Sequence, residues 1–185
     1  APICICMRWI WPAPRMAAGG SPPTAPRHRL VRAMPNTPSL VGLGVTGLFA
    51  TACSNYEKAF VDHMFSGTGM TVWLDNEAQI DHVIAVTGSS PAYFFFFMQA
   101  MQQVAEQLGF DAVQAKQMVA QTALGAATMA LNSEHSFAEL RAQVTSKGGT
   151  THEAVSTFAN QGLEKMVSDA MYAAIKRAQE MAQSL

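Results

Sequence analysis

Residues 144–151, VTSKGGTT, gather more anion-binding chemistry than any other stretch of the 185-residue chain. The adjacent glycines Gly148 and Gly149 let a ligand approach the backbone closely. The segment runs into a helix start, where unpaired N–H groups and the helix dipole favour negative charge. Ser146, Thr150 and Thr151 add hydroxyls and Lys147 adds a cation, a set suited to a carboxylate or a small phosphate. An ordinary loop leading into a helix has the same composition, and residue types alone leave both readings open. The G-x-x-x-x-G-K-[ST] pattern of a nucleotide-triphosphate loop is absent. His28, His63, His82, His135 and His152 form no i, i+4 pair and no H-E-x-x-H, which argues against a catalytic metal. His152 reads as a surface residue of the first turn and Glu134 as a solvated charge. Cys4 and Cys6 make a lone C-x-C, and Cys53 stands apart, so neither a disulfide framework nor a zinc site is expected. The chain is read as lacking the G-x-G-x-x-G fingerprint of a dinucleotide site.

The elements that must position this loop follow from periodicity and caps. Residues 45–50 read as a buried strand after the turn-rich MPNTP at 34–38. Ser54 and Glu57 are spaced as a capping box for a helix with Tyr56, Phe60, Val61 and Met64 on one face. Residues 70–74 read as a second strand. Helices are then expected over 77–85, from a Ser90 cap with Pro91 in the first turn to about 108, and from an Asp111 cap to about 132. A Ser136–Glu139 box, a Thr150–Glu153 box and residues 163–182 mark three more. The expected fold class is mainly α: a helical domain preceded by a strand–helix–strand remnant of an α/β layer, since two strands alone make no independent sheet. Four phenylalanines at 94–97 cover every side of one turn, so that helix is expected to be buried or to lie between subunits.

Composition bounds the rest. At 49% hydrophobic and 14% charged, wholesale disorder is excluded, and a net charge of −1 gives no overall basic footprint for nucleic acid. No run approaches the roughly 18 uninterrupted apolar residues of a membrane span. The charge is unevenly spread. Residues 1–30 carry six of the nine prolines and four of the seven arginines, without Lys, Asp or Glu. From residue 33 onward seven basic residues face thirteen acidic ones. As a signal peptide the first thirty residues fail, because Arg8, Trp9 and Trp11 interrupt the apolar start. A basic arm for phosphate or membrane surfaces and a disordered extension are the other readings. The prolines favour the second, and residues 1–30 are expected to be disordered and non-native.

VTSKGGTTHEAV at 144–155, together with MPNTP at 34–38, GSSPAYFF at 88–95 and QTALGAA at 121–127, resembles the pyrroline-5-carboxylate reductase family in order and spacing. The resemblance begins near Val31 and runs to the end of the chain. It implies reduction of 1-pyrroline-5-carboxylate to L-proline by hydride transfer from NADPH or NADH, in cytoplasmic proline biosynthesis. It implies a Rossmann cofactor domain, and a helical domain that intertwines with its mate as a homodimer, with ring assembly possible. On this chain the corresponding plan is an extension over 1–30, a Rossmann remnant over 31–75 and a helical dimerisation and substrate domain over 76–185. Ser146, Gly148, Gly149, Thr150 and Thr151 would hold the substrate carboxylate, with Thr151 reaching toward the ring nitrogen. Pro91 would lie near substrate and nicotinamide. Asn36, Glu77 and Gln143 would lie near the cofactor, the last two across the dimer. Hydride transfer needs no nucleophile, so the protein supplies position and electrostatics. Neither metal, nucleic acid nor membrane is implied. Ser90 and Lys147 stand where the family often has glycine and proline.

Residues 1–30 match nothing in that family, whose members carry a glycine fingerprint and most of a parallel sheet ahead of MPNTP. A shifted reading frame or a truncated gene product would produce such a junction. The 185 residues are accordingly expected to bind little or no NAD(P)H and to be weakly active or inactive alone. A non-catalytic helical dimerisation module is the alternative; a nucleic-acid binder would rest on residues 1–32 alone.

Overall fold

A computed structural model describes residues 5–9 and 29–183, which divide between two compact units, Ala1–Pro91 with Met171–Leu185, and Ala92–Ala170. The first unit is built on a four-stranded sheet in the order β1 (Ile5–Trp9), β2 (Arg29–Met34), β3 (Gly44–Ala50), β4 (Gly69–Trp73). β1–β2 and β2–β3 are antiparallel, whereas β3 and β4 are parallel, joined by helix α1 (Asn55–Phe65). A parallel pair needs such a crossover, and the capping box starts it as expected. The Ser54 N–H donates to Glu57 Oε2 at 2.8 Å, and Ser54 Oγ accepts from the Glu57 N–H at 3.4 Å. Val31, Ala33, Leu48 and Val61 form the core between sheet and helix. Leu48 lies opposite Ala33 on one side and Trp73 on the other. Next to Val61, Asp62 Oδ1 accepts from Thr71 Oγ1 at 2.7 Å and from Trp73 Nε1 at 2.9 Å, tying α1 to β4.

Three expectations for this unit are corrected. β2 was not expected from the sequence, because its alternation is short and abuts the prolines of 34–38. Val31, Ala33 and Met34 bury it nonetheless. Ile5–Trp9 is a strand paired with β2 from Ile5↔Ala33 to Trp9↔Arg29, so it departs from the disordered reading of 1–30; residues 1–4 and 10–28 lie outside the described residues. Residues 42–47, GLGVTG, do spell G-x-G-x-x-G. They leave a short 3-10 helix (Thr37–Val41) and enter β3. A phosphate-cradling turn has the opposite direction, from a strand into a helix.

Beyond β4 the chain becomes helical. Helix α2 (Gln79–Val83) starts two residues later than expected, after a turn in which Asn76 Oδ1 accepts from the Gln79 N–H at 3.2 Å. It passes into a π-turn (Ile84–Gly88), closed by the Ser89 N–H donating to the Ile84 carbonyl at 2.7 Å, and then directly into α3 (Ser90–Gln107). Ser90 is therefore not an N-cap: its hydroxyl donates back to the Ala85 and Val86 carbonyls at 3.0 and 2.6 Å. The run Gln79–Gln107 is long and apolar enough, by length and composition, to cross a membrane.

In the second unit, α4 (Ala112–Leu131) follows Asp111, whose Oδ1 accepts from the Val113 and Gln114 N–H groups at 3.0 Å. Helix α5 (Phe137–Gln143) has the expected Ser136–Glu139 box, and α6 (Thr150–Asn160) and α7 (Leu163–Gln183) follow, with α7 assigned to the first unit from Met171 onward. Of residues 92–170 only Ala115 and Val119 are buried. Phe96 is 75% exposed, Leu131 82% and Phe137 83%. An apolar groove of about 530 Å³ runs between α3, α4 and α6, lined by Phe97, Met101, Leu108, Met118 and Phe158 among others. The Phe97 and Phe158 rings lie 5.7 Å apart across it.

Candidate functional site

The loop between α5 and α6 is shaped by its two glycines. Gly148 takes φ 73°, a left-handed conformation that side chains resist. The Gly149 N–H donates to the Ser146 carbonyl at 3.0 Å and closes the turn. Gly149 is extended, φ −82° and ψ 168°, and serves as the N-cap of α6. This corrects the Thr150–Glu153 box: Thr150 is already inside the helix, and no side chain caps it. A Cβ on Gly149 would lie 2.6 Å from Ser146 Oγ, so the serine hydroxyl leans over the bare cap.

The first intrahelical bond is donated by the Glu153 N–H to the Gly149 carbonyl at 3.2 Å. The N–H groups of Thr150, Thr151 and His152 precede it and are the ones a helix leaves for an external acceptor. Ser146, Lys147, Thr150 and Thr151 are exposed around that end. Three N–H donors, the positive end of the dipole, hydroxyls and a lysine together suit a carboxylate. Gln143, the last residue of α5, is exposed six residues before Gly149.

Asn36, Glu77 and Pro91 belong to the other unit. Half-buried Asn36 commits both ends of its carboxamide: Nδ2 donates to the Thr87 carbonyl at 2.9 Å, and Oδ1 accepts from the Val45 N–H at 2.9 Å. Pro91 follows the same π-turn, half-buried. Glu77 is exposed and pairs with Arg32 at 2.9 Å. Within the first unit, then, the structure brings Asn36 to the π-turn that precedes Pro91, and pairs Glu77 with Arg32 of β2. Within the second it brings Ser146, Gly149 and Thr150 together.

The Thr87 carbonyl and Arg32 were not expected among the participants. Thr87 was findable: a proline four residues on has no N–H for its carbonyl. Arg32 carried no signal, because its partner lies 45 residues away.

Residues 77–181 match the family model described as pyrroline-5-carboxylate reductase dimerisation. The chain is 49% identical over 159 residues to the pyrroline-5-carboxylate reductase of Vibrio alginolyticus, covering 85% of this chain and 58% of the relative. It is 48% identical over 159 residues to that of Pseudomonas aeruginosa, covering 84% and 58%. The chain thus spans about 58% of the length of these curated relatives. Among solved structures, a pyrroline-5-carboxylate reductase from Coxiella burnetii superposes with a TM-score of 0.80 at 44% identity, covering 82% of this chain and 57% of that one. A Plasmodium falciparum pyrroline carboxylate reductase with NADP bound gives 0.75 at 26% identity, covering 84% and 59%. The remnant of a Rossmann-like layer followed by helices is the arrangement these structures share with residues 31 onward. The chain belongs to the pyrroline-5-carboxylate reductase dimerisation family.

Proposed function

We propose that this chain provides the substrate-carboxylate loop and the subunit interface of an enzyme reducing 1-pyrroline-5-carboxylate to L-proline with NADPH or NADH. One observation carries the reading: α6 begins on a bare Gly149 with no side-chain cap, and its free N–H groups are ringed by Ser146, Thr150 and Thr151. The substrate carboxylate sits on those donors, and the Thr151 hydroxyl is within the same turn to meet the ring nitrogen. Positioning of the imine carbon against the nicotinamide is the catalytic contribution, with Pro91, Asn36, Glu77 and Gln143 on the cofactor side. The working species is a homodimer. The exposed phenylalanines of α3 and the groove beside them supply the apolar area for a second copy. In this reading the Gln79–Gln107 run faces that copy and not a lipid bilayer, and the protein works in the cytoplasm. Dimers can associate further into rings.

Isothermal titration with L-proline, beside acetate and inorganic phosphate, tests the loop. Saturable proline binding lost in Thr151→Val and Gly149→Ala supports it; equal binding by both variants overturns it. NAD(P)H oxidation in the presence of 1-pyrroline-5-carboxylate tests the activity.

A second reading, a non-catalytic dimerisation module, is favoured by the direction of the GLGVTG string, which enters β3 and builds no phosphate turn. A dimer that binds proline without oxidising NAD(P)H would select it.

A further inference from the structure

A proline inside a helix leaves the carbonyl four residues back without its donor. For Pro91 that carbonyl belongs to Thr87, in the π-turn between α2 and α3. The orphan is not left to solvent. Asn36, 51 residues earlier, donates to it at 2.9 Å, and the other end of the same carboxamide accepts from Val45 at the start of β3. The turn is also seated by contact. A Cβ on Gly47 would meet Val83 Cγ1 at 2.9 Å, and one on Gly88 would meet Met34 Cε at 3.4 Å, so helix and sheet touch at both ends of the turn. Ile80 and Ala85 are fully buried. π-turns recur at functional sites because they aim a helix side chain differently from a regular turn.

We propose that Asn36 is a positioning residue: its carboxamide replaces the N–H that Pro91 lacks, and so holds the π-turn and the Pro91 ring in place. It acts through Pro91 and makes no contact with cofactor or substrate. This rests on the reading of Pro91 as part of the substrate site, and the two can be tested apart.

Asn36→Ala, Pro91→Ala and the double variant are compared by amide hydrogen exchange and by L-proline titration. Pro91→Ala restores a helical donor to Thr87. In the unsubstituted background, Asn36→Ala speeds exchange at the Ser89 N–H about tenfold, as loss of one satisfied, partly buried bond predicts. It also weakens proline binding about fivefold. In the Pro91→Ala background both effects fall below twofold, while exchange at the Val45 N–H, whose acceptor is lost either way, stays accelerated. Equal effects of Asn36→Ala in the two backgrounds overturn the proposal and indicate direct ligand contact. So does an unchanged Ser89 rate. Where Asn36→Ala fails to fold, Asn36→Asp keeps the acceptor for Val45, removes the donor for Thr87, and carries the same comparison. Absence of proline binding by the unsubstituted chain sinks the substrate reading, and the Ser89 exchange rates still decide whether Asn36 holds the π-turn.

Discussion

The Asn36 side-chain nitrogen and the Thr87 carbonyl oxygen stand 2.9 Å apart, joining the turn ahead of β3 to the π-turn ahead of α3. This bond replaces one that Pro91 cannot make, and it holds two parts of the first unit that sequence separates by 51 residues. The sheet beside it carries the buried core of the first unit, so its packing is the first thing to perturb.

Leu48 is fully buried between β2, β4 and α1. Leu48→Ala is expected to cost about 3 kcal/mol, the usual cost of a partly collapsed cavity. Urea denaturation followed by Trp fluorescence measures it. A loss below about 1 kcal/mol contradicts the core assignment.

Gly69 opens β4 at φ 130°, and a Cβ there would run into the Gly44 carbonyl oxygen. Gly69→Ala combines backbone strain with a steric clash and is expected to destabilise by about 3 kcal/mol. Gly67→Ala, two residues away, meets nothing within 4 Å and is expected to stay within about 0.5 kcal/mol of the parent. Thermal melts of the pair check the contrast.

Ser146 and Gly149 are expected to be coupled. Gly149→Ala drives a methyl to 2.6 Å from Ser146 Oγ, displacing the hydroxyl that leans over the α6 N-terminus. Stability should fall by about 1 kcal/mol, and Ser146→Ala should remove most of that loss in the double variant by making room. Additive losses would show that the two side chains do not meet.

The Glu139 carboxyl is held below its ordinary range by hydrogen bonds from the Ser136 hydroxyl and backbone N–H. A lowered value in the folded state means a stabilising contribution that is complete above the ordinary glutamate range and lost as pH falls through the folded value. Ser136→Ala should raise the Glu139 titration toward the ordinary range and make the start of α5 less sensitive to acid. Carboxyl-carbon NMR titration reads both.

Phe96 on α3 is 75% exposed, in a run of four phenylalanines of which Phe97 lines the apolar groove. Phe96→Glu is expected to shift a dimer to monomer in sedimentation velocity with unchanged helical circular dichroism. A dimer of unaltered stability places the interface elsewhere.

Local chemistry was legible in the sequence where its cause is local. The Ser54–Glu57 and Ser136–Glu139 boxes and the Asp111 cap need only residues within one turn, and all three stand as read. The loop at 144–151 was legible for the same reason, down to its glycine pair. Its helix starts on Gly149 because the left-handed Gly148 sets the chain direction, which letter spacing alone does not express. GLGVTG at 42–47 is a different miss: its letters are those of a phosphate turn and were open to the sequence, and only its direction, out of a 3-10 helix and into β3, sets it apart.

By itself the sequence determined most of the helical segments, the caps at Ser54, Asp111 and Ser136, that a glycine-paired loop leads into α6, and which family motifs are present. Only tertiary structure decided that residues 29–34 become a strand, that Pro91 continues a helix instead of opening one, and that Asn36 supplies its missing bond. The physical reason is range. A cap is satisfied by neighbours three residues away, whereas an orphan carbonyl or an unpaired strand is satisfied by whatever the fold brings beside it.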